Sequence, residues 1–297
     1  MNYSNLPYFF INKTQKERND YSNWGFDKLK IDEIWDKGYQ GEGVKIGILD
    51  TGYYHTSEIS SDRITLKDFT GDGFGGETDE HGTQVAHIIG AEDNQIGYKG
   101  CCPKSNIFLA KVVNNKGKTK DEYLLNAIDW AIDNEIDVLN ISLQYQWCSM
   151  PVHEKIVEAV DRNMKIVCAA GNKGGDLVQP RVYYPGAYQE TIAIGAIDDQ
   201  NEIPSFSSKG QLVDFVAPGV RIRTYSGTMK GTSASAPFIT SIIALFLNKQ
   251  LIEFPSQNLP DQYGVKKNLI SNSNTSRILN PSFAGFGKIN TKKMFNL

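Results

Sequence analysis

The feature that most limits the fold of this chain is the alternation of short apolar segments with longer amphipathic ones. Apolar residues recur at helical spacing in residues 81–91, 121–135 and 151–163. Around these lie six short segments that are rich in β-branched residues and mostly apolar on both faces, namely residues 43–50, 106–113, 137–143, 165–171, 191–197 and 212–219. Such strands are typical of a largely parallel sheet covered by helices on both faces. The sequence therefore predicts an α/β fold.

A further helix is predicted to pass through the middle of the protein. Residues 235–250, "SAPFITSIIALFLNKQ", are apolar almost all round, as in a helix buried on every side. Pro237 is tolerated near the first turn, where backbone N–H groups have no intrahelical partner, so this helix should start near Ser233. From residue 251 to residue 282 the periodicity disappears, which predicts long surface loops with room for one short helix.

The composition indicates a globular chain without a strongly charged surface. With 297 residues, of which 40% are apolar and 22% charged, the chain can bury one large core. The net charge is −3 and no long run of either sign occurs, which argues against nucleic acid or an anionic membrane as a partner. No stretch approaches the roughly 18 consecutive apolar residues that are needed to span a bilayer.

The N-terminal residues and the cysteines favour a cytoplasmic location. The first 20 residues contain one short apolar run, LPYFFI, without a preceding basic region, so we expect no export signal. The four cysteines are irregularly spaced and histidine is scarce, so we expect reduced thiols rather than disulfides or a zinc site.

Small residues and an asparagine follow two of the predicted strands. The segment 137–143 ends in "NISL", and the segment 165–171 runs directly into Gly171 and Asn172. One interpretation is that these are turn residues. The other is that they line a cleft, because ligands of open α/β sheets bind at the carboxyl ends of the strands. The other residues at these strand ends decide between the two.

A carboxylate, an imidazole and a hydroxyl stand at the ends of three predicted elements. Asp50 ends the first strand, His81 opens a helix, and Ser233 opens the central helix. Each alone has a structural explanation, as a turn residue, a capping residue or an N-cap. Together they can activate a nucleophile, because an imidazole can take the proton of a serine hydroxyl while a buried carboxylate orients the imidazole.

Asn172 and the "NISL" segment complete a possible site for acyl transfer. An attacked carbonyl develops negative charge on its oxygen, and a side-chain amide at a strand end can donate a hydrogen bond to that oxygen. We therefore expect Asn172 to bind the oxyanion. An extended peptide would then pair its backbone with Ser142 and Leu143 as an added strand.

The blocks that contain these residues resemble, in order and spacing, those of the subtilisin-like serine proteases. They are "ILDTG", "HGTQVAHIIGA", "NISL", "AAGN", "YYPGAYQETIAIGA", "FSS", "DFVAPG" and "GTSASAP", and the match runs from about residue 24 to "GFGKIN". The resemblance implies a triad of Asp50, His81 and Ser233, with Asn172 as oxyanion donor. It further implies one catalytic domain over residues 24–297, preceded by an extension over residues 1–23, and a peptide or protein substrate bound as an extended strand. The substrate-binding residues that it implies are Ser142, Leu143, Gln144, Ala170, Gly171 and Tyr183.

Within that family the chain most resembles the intracellular bacterial subtilisins, which carry a short N-terminal extension. Leu6, Pro7 and Tyr8 stand where the extension of those enzymes has a motif that can occlude the active site. The alternative for these three residues is a plain apolar anchor on the surface.

Two bulky residues occur where the family commonly has small ones. Gln144 takes the place of a glycine on the substrate strand, and Tyr183 falls where a small residue floors the pocket for the side chain before the cut. Both favour a processing peptidase with restricted specificity, such as one that removes the leader of a ribosomal peptide. The alternatives are a general degradative subtilisin and a pseudoprotease that binds peptides without cleaving them.

The family resemblance also raises the question of calcium. The segment "AEDNQIGYKG" resembles a calcium-binding loop of many subtilisins, with oxygen ligands that suit this ion. The implied ligands are the carboxylate of Glu58, the side chain of Asn94 and the carbonyls of Glu92, Ile96 and Tyr98. The alternative is a loop that is rigid without metal. No cofactor is expected for catalysis.

Overall fold

The computed structural model of the chain describes residues 23–94, 98–174, 181–274 and 280–297. The strands of its main sheet are β1 Lys45–Asp50, β2 Ile64–Asp68, β3 Asn106–Lys111, β4 Val138–Ile141, β5 Lys165–Ala169, β6 Ile192–Ile197 and β7 Phe215–Pro218. All neighbouring strands are parallel, and their order across the sheet is β2-β3-β1-β4-β5-β6-β7. The predicted α/β fold with a parallel sheet is confirmed, and each of the six predicted strands is present.

The prediction missed strand β2, which lies at one edge of the sheet beside β3. Its residues alternate between half-buried and exposed, so its sequence "ITLKD" lacks the continuous apolar run of the inner strands. Two small antiparallel pairs accompany the main sheet. They are β8 Ile222–Thr224 with β9 Gly227–Met229, and β10 Ser273–Asn274 with β11 Lys288–Ile289.

Helices cover both faces of the sheet. They are α1 Trp24–Lys28, α2 Ile31–Asp36, α3 Glu80–Gly90, α4 Asp121–Asp133, α5 Met150–Asp161, α6 Thr232–Glu253, α7 Gln262–Ser271, α8 Pro281–Ala284 and α9 Thr291–Phe295, with a 3-10 turn at Glu77–Asp79. The side chains of Ile46 and Ile48 enter the core formed with α3 and α6, whereas Leu49 enters the core formed with α4 and α5. This two-sided burial explains why β1 is apolar on both faces.

Helix α6 is the predicted central helix, and it begins at Thr232, one residue before the predicted start. By length and composition it could cross a membrane, but residues 232–249 are all buried within the protein, which accounts for their apolar character. Pro237 cannot donate to the carbonyl of Ser233, and the hydroxyl of Ser142 donates to that carbonyl instead, at 3.2 Å. The proline is therefore tolerated because a neighbouring strand end supplies the missing hydrogen bond.

The described part of the segment 251–282 contains the end of α6, all of α7 and the start of α8, so it is more helical than predicted. The four cysteines all lie in the described part of the chain and form no disulfide there. Three of them are buried, and burial raises the pKa of the Cys102 thiol to about 12.

Candidate active site

The carboxylate at the end of β1 contacts an imidazole from the first turn of α3. Asp50 is fully buried, and its Oδ1 accepts hydrogen bonds from Nδ1 of His81 at 2.6 Å and from the N–H of Thr51 at 2.7 Å. An ionised carboxylate can only accept, so the ring proton lies on Nδ1 and Nε2 can act as a base. Helix α3 can lie this close to the end of β1 because residue 82 is a glycine. A side chain at this position would collide with the carbonyl oxygen of Gly52.

Ser233 lies in the first turn of α6, and α6 packs directly against α3. The serine is buried, and its Oγ makes no hydrogen bond to any described residue. The hydroxyl of Ser142, which holds the Ser233 carbonyl, in turn accepts a hydrogen bond from Nδ2 of Asn140 at 2.9 Å. The backbone of Ser233 is therefore held by the segment at the end of β4, while its hydroxyl makes no hydrogen bond to Ser142 or Asn140.

The side chain of Asn172 is held in one orientation by Thr232. Its Oδ1 accepts from the N–H of Thr232 at 2.8 Å and from the hydroxyl of the same residue at 3.0 Å. Because the oxygen is occupied in this way, Nδ2 is the atom that remains available as a donor. Sequence reasoning missed Thr232, although its position directly before Ser233 is a usable signal.

A glycine keeps the space between Asn172 and Ser233 open. A Cβ at Gly231 would lie 2.9 Å from Nδ2 of Asn172 and 3.1 Å from Oγ of Ser233. The two polar atoms therefore face the same small volume. The backbone φ of residue 231, +147°, also favours glycine. This volume is suited to a carbonyl group, with the hydroxyl near its carbon and the amide near its oxygen.

The predicted substrate-binding residues lie on segments that follow β4 and β5 and on Tyr183 beside Gly171, and these form the two edges of a gap that the side chain of Gln144 spans. On one edge, Ser142 and Leu143 are both buried, and the hydroxyl of Ser142 donates to the carbonyl of Ser233. On the other edge, the carbonyl of Ala170 accepts from the N–H of Tyr183 at 2.9 Å. The ring of Tyr183 lies against Gly171, where a Cβ would be 2.5 Å from the ring.

Gln144 connects the two edges of this gap. Its Oε1 accepts a hydrogen bond from the backbone N–H of Asn172 at 2.7 Å. The side chain thus extends from the segment after β4 to the segment after β5. Sequence analysis placed Gln144 at the site but could not foresee this hydrogen bond.

A buried ion pair supports the end of β1, and sequence reasoning missed it. Lys111 ends β3 in register with Asp50, and neither its side chain nor that of Asp79 is exposed. Its ammonium donates to the carboxylate of Asp79 and, at 2.5 Å, to the carbonyl of Thr51. A lysine inside the apolar run "NIFLAKVV" is the signal that could have predicted a buried partner.

Helix α3 contains a second buried histidine, His87. The side chain of His87 is completely buried, and its Nε2 lies 2.9 Å from the hydroxyl of Thr56. Burial lowers the pKa of His87 from 6.5 to about 3, because the charged ring would lose its hydration without gaining an anionic partner. This imidazole is therefore neutral in the folded chain.

Four of the five residues suggested for calcium lie in the described part of the chain, and Ile96 lies outside it. Glu58 is buried and makes no ion pair with a described residue, while its Oε2 accepts the N–H of Tyr98 at 3.0 Å. The carboxylate of Glu92 accepts a hydrogen bond from Arg63 at 3.0 Å, and the predicted calcium ligand of this residue is its carbonyl instead. In the described ranges no group of three His, Cys, Asp or Glu side chains could hold a metal ion, so backbone and amide oxygens would have to complete this site.

The subtilase family matches residues 41–287, which contain the triad candidates and both edges of the gap. The chain is 34% identical to subtilisin E of Bacillus subtilis (strain 168) over 239 residues, which cover 76% of this chain and 61% of subtilisin E.

Two further relatives cover more of their own length. Subtilisin DY of Bacillus licheniformis is 32% identical over 270 residues, which cover 84% of this chain and 96% of that protein. The major intracellular serine protease of Bacillus subtilis (strain 168) is 34% identical over 236 residues, or 74% of this chain and 73% of that protein.

Proposed function

The chain belongs to the subtilase family and contains a subtilisin-like serine endopeptidase domain, and on that premise we propose that it cleaves peptide bonds with Ser233 as the nucleophile. The observation that carries the proposal is the arrangement around Gly231. A buried hydroxyl and an oriented amide donor face one small volume there, and α6 packs against helix α3, whose His81 contacts Asp50 at the end of β1.

The residues divide the reaction between them. His81 takes the proton of the Ser233 hydroxyl at Nε2, and Oγ attacks the carbonyl carbon of the substrate. Asp50 keeps the ring oriented and stabilises the imidazolium. Nδ2 of Asn172 and the N–H of Ser233 donate to the oxyanion. The proton then passes from His81 to the leaving amine as the peptide bond breaks, and a water molecule, deprotonated in the same way, releases the acyl group from Ser233.

We propose further that the enzyme prefers small residues before the scissile bond. The ring of Tyr183 against Gly171 fills space that a large substrate side chain would need. A mismatch of one methylene already costs about 1–3 kcal/mol in such a pocket. Tyr183→Gly should widen cleavage toward Phe and Leu in a peptide library, and Tyr183→Phe, which keeps the ring, should not. Efficient cleavage after Phe by the wild type would contradict this.

Restricted specificity supports a processing role in the cytoplasm, such as removal of the leader of a ribosomal peptide. The similarity to an intracellular serine protease supports this location. The competing function is general degradation, which predicts rapid cleavage of casein at many sites. Slow cleavage of casein with few products would favour the processing role. The domain boundary at residue 24 stays a prediction. The inhibitory role of Leu6, Pro7 and Tyr8 also stays a prediction, because these three residues lie outside the described part of the chain.

Calcium is proposed as a structural ion at the loop near Glu58. A buried carboxylate without a cationic partner among the described residues fits a bound cation, and hard oxygen ligands suit calcium. Glu58, Asn94 and the carbonyls of Glu92, Ile96 and Tyr98 would hold it. When bound, the ion would stabilise this loop and take no part in the chemistry at Ser233.

A further inference from the structure

The gap between the ends of β4 and β5 is the place for the substrate side chain that precedes the scissile bond. The two strands pair up to Ile141 and Cys168 and then continue as the two edges of the gap. On the proposed function, on which this inference rests, the scissile carbonyl lies between Oγ of Ser233 and Nδ2 of Asn172. The side chain on the adjacent carbon must then point into the gap.

The gap is already closed on its inner side. The ring of Tyr183 lies against Gly171, and the next residue, Tyr184, forms an antiparallel bridge with Tyr145 across its end. The two hydrogen bonds of this bridge are 2.8 Å and 3.0 Å long. The remaining side of the gap borders Gln144 and Asn172.

We propose that Gln144 is a latch across this remaining opening and a determinant of specificity. Its side chain spans from one edge to the other and bonds to the N–H of Asn172 at 2.7 Å. A substrate with Gly or Ala before the scissile bond fits below the latch. A longer side chain has to displace Gln144 and break that hydrogen bond. We therefore expect the substrates to be peptides with Gly or Ala directly before the scissile bond.

A role of Gln144 as a latch can be distinguished from a role in positioning Asn172. Asn172 is oriented independently by Thr232, whose N–H and hydroxyl both bind Oδ1. Loss of Gln144 therefore leaves the oxyanion donor held. A latch affects long substrate side chains selectively, whereas a positioning role would affect all substrates to the same extent. A half-buried hydrogen bond of this kind corresponds to roughly a tenfold effect, and removing the side chain also removes its bulk.

The test compares Gln144→Gly with a matched control in the same segment, Gln146→Gly, which removes an exposed glutamine. Substrates are amides that differ only in the residue before the scissile bond, which is Gly, Ala, Leu or Phe. For Gln144→Gly we expect the ratio of kcat/KM for Leu or Phe to that for Ala to rise at least about tenfold. Gln146→Gly should keep the wild-type ratio. Gln144→Glu, which retains an acceptor oxygen, should stay closer to the wild type than Gln144→Gly.

If Gln144→Gly leaves the ratio of kcat/KM values unchanged, the proposal is wrong. An equal loss of kcat/KM on all four substrates would also overturn it, because that result would indicate positioning alone. These outcomes are separate from failure of the proposed function. If the wild type neither cleaves any of the substrates nor reacts with a fluorophosphonate at Ser233, the endopeptidase assignment itself is wrong, and the latch falls with it.

Discussion

Acid should destabilise the folded chain through His87, because burial makes protonation of this ring less favourable in the folded chain than in the unfolded one. Its pKa is lowered to about 3 in the folded chain and returns to 6.5 on unfolding. The unfolded chain therefore binds a proton that the folded chain does not bind at any pH between these values. Stability is complete above pH 6.5 and is lost as the pH falls toward 3. At about pH 4.5 the loss from this group is about 3 kcal/mol.

The assay is urea unfolding at about pH 7 and about pH 4.5, in a Ser233→Ala background that prevents self-digestion. His87→Gln removes the titrating ring and should reduce the loss between the two pH values by about 3 kcal/mol. His55→Gln is the control, since it removes an exposed histidine. If His87→Gln loses as much stability in acid as the background does, the reasoning is refuted.

Two further predictions concern the buried charges. Lys111→Met leaves the Asp79 carboxylate buried and unpaired and should lower the free energy of unfolding by about 3–5 kcal/mol, whereas the exposed Lys116→Met should change it by less than about 0.5 kcal/mol. Equal effects in urea unfolding would contradict the role of the pair. Calcium should raise the Tm of the wild type and of Glu92→Gln, but not that of Glu58→Gln, and no calcium effect on the wild type would argue against the ion.

The inner strands could be predicted because burial on two faces leaves a continuous apolar run, as in β1. The edge strand β2 could not, since its five residues alternate between half-buried and exposed and resemble a loop. The start of the central helix was predicted to within one residue from Pro237. The hydroxyl of Ser142 that compensates for this proline comes from a distant segment, so the sequence contains no local sign of it.

In the site, too, some contacts could be predicted from the sequence and others could not. The pair of Asp50 and His81 could be predicted because Asp50 ends a strand and His81 begins a helix at the same edge of a parallel sheet. The hydrogen bond between Gln144 and Asn172 could not, because it joins residues that follow different strands and depends on a side-chain conformation. Contacts set by topology could thus be predicted from the order of the elements, whereas contacts set by side-chain packing required the structure.

The most direct test of the central claim is the reaction of the intact chain with a fluorophosphonate probe, followed by mass spectrometry of the labelled peptide. An activated serine reacts, whereas an ordinary hydroxyl does not. We predict stoichiometric labelling of Ser233 in the wild type and none in the folded variants Ser233→Ala and His81→Ala. An unlabelled but well-folded wild type would contradict the endopeptidase assignment and support a pseudoprotease that binds peptides without cleaving them.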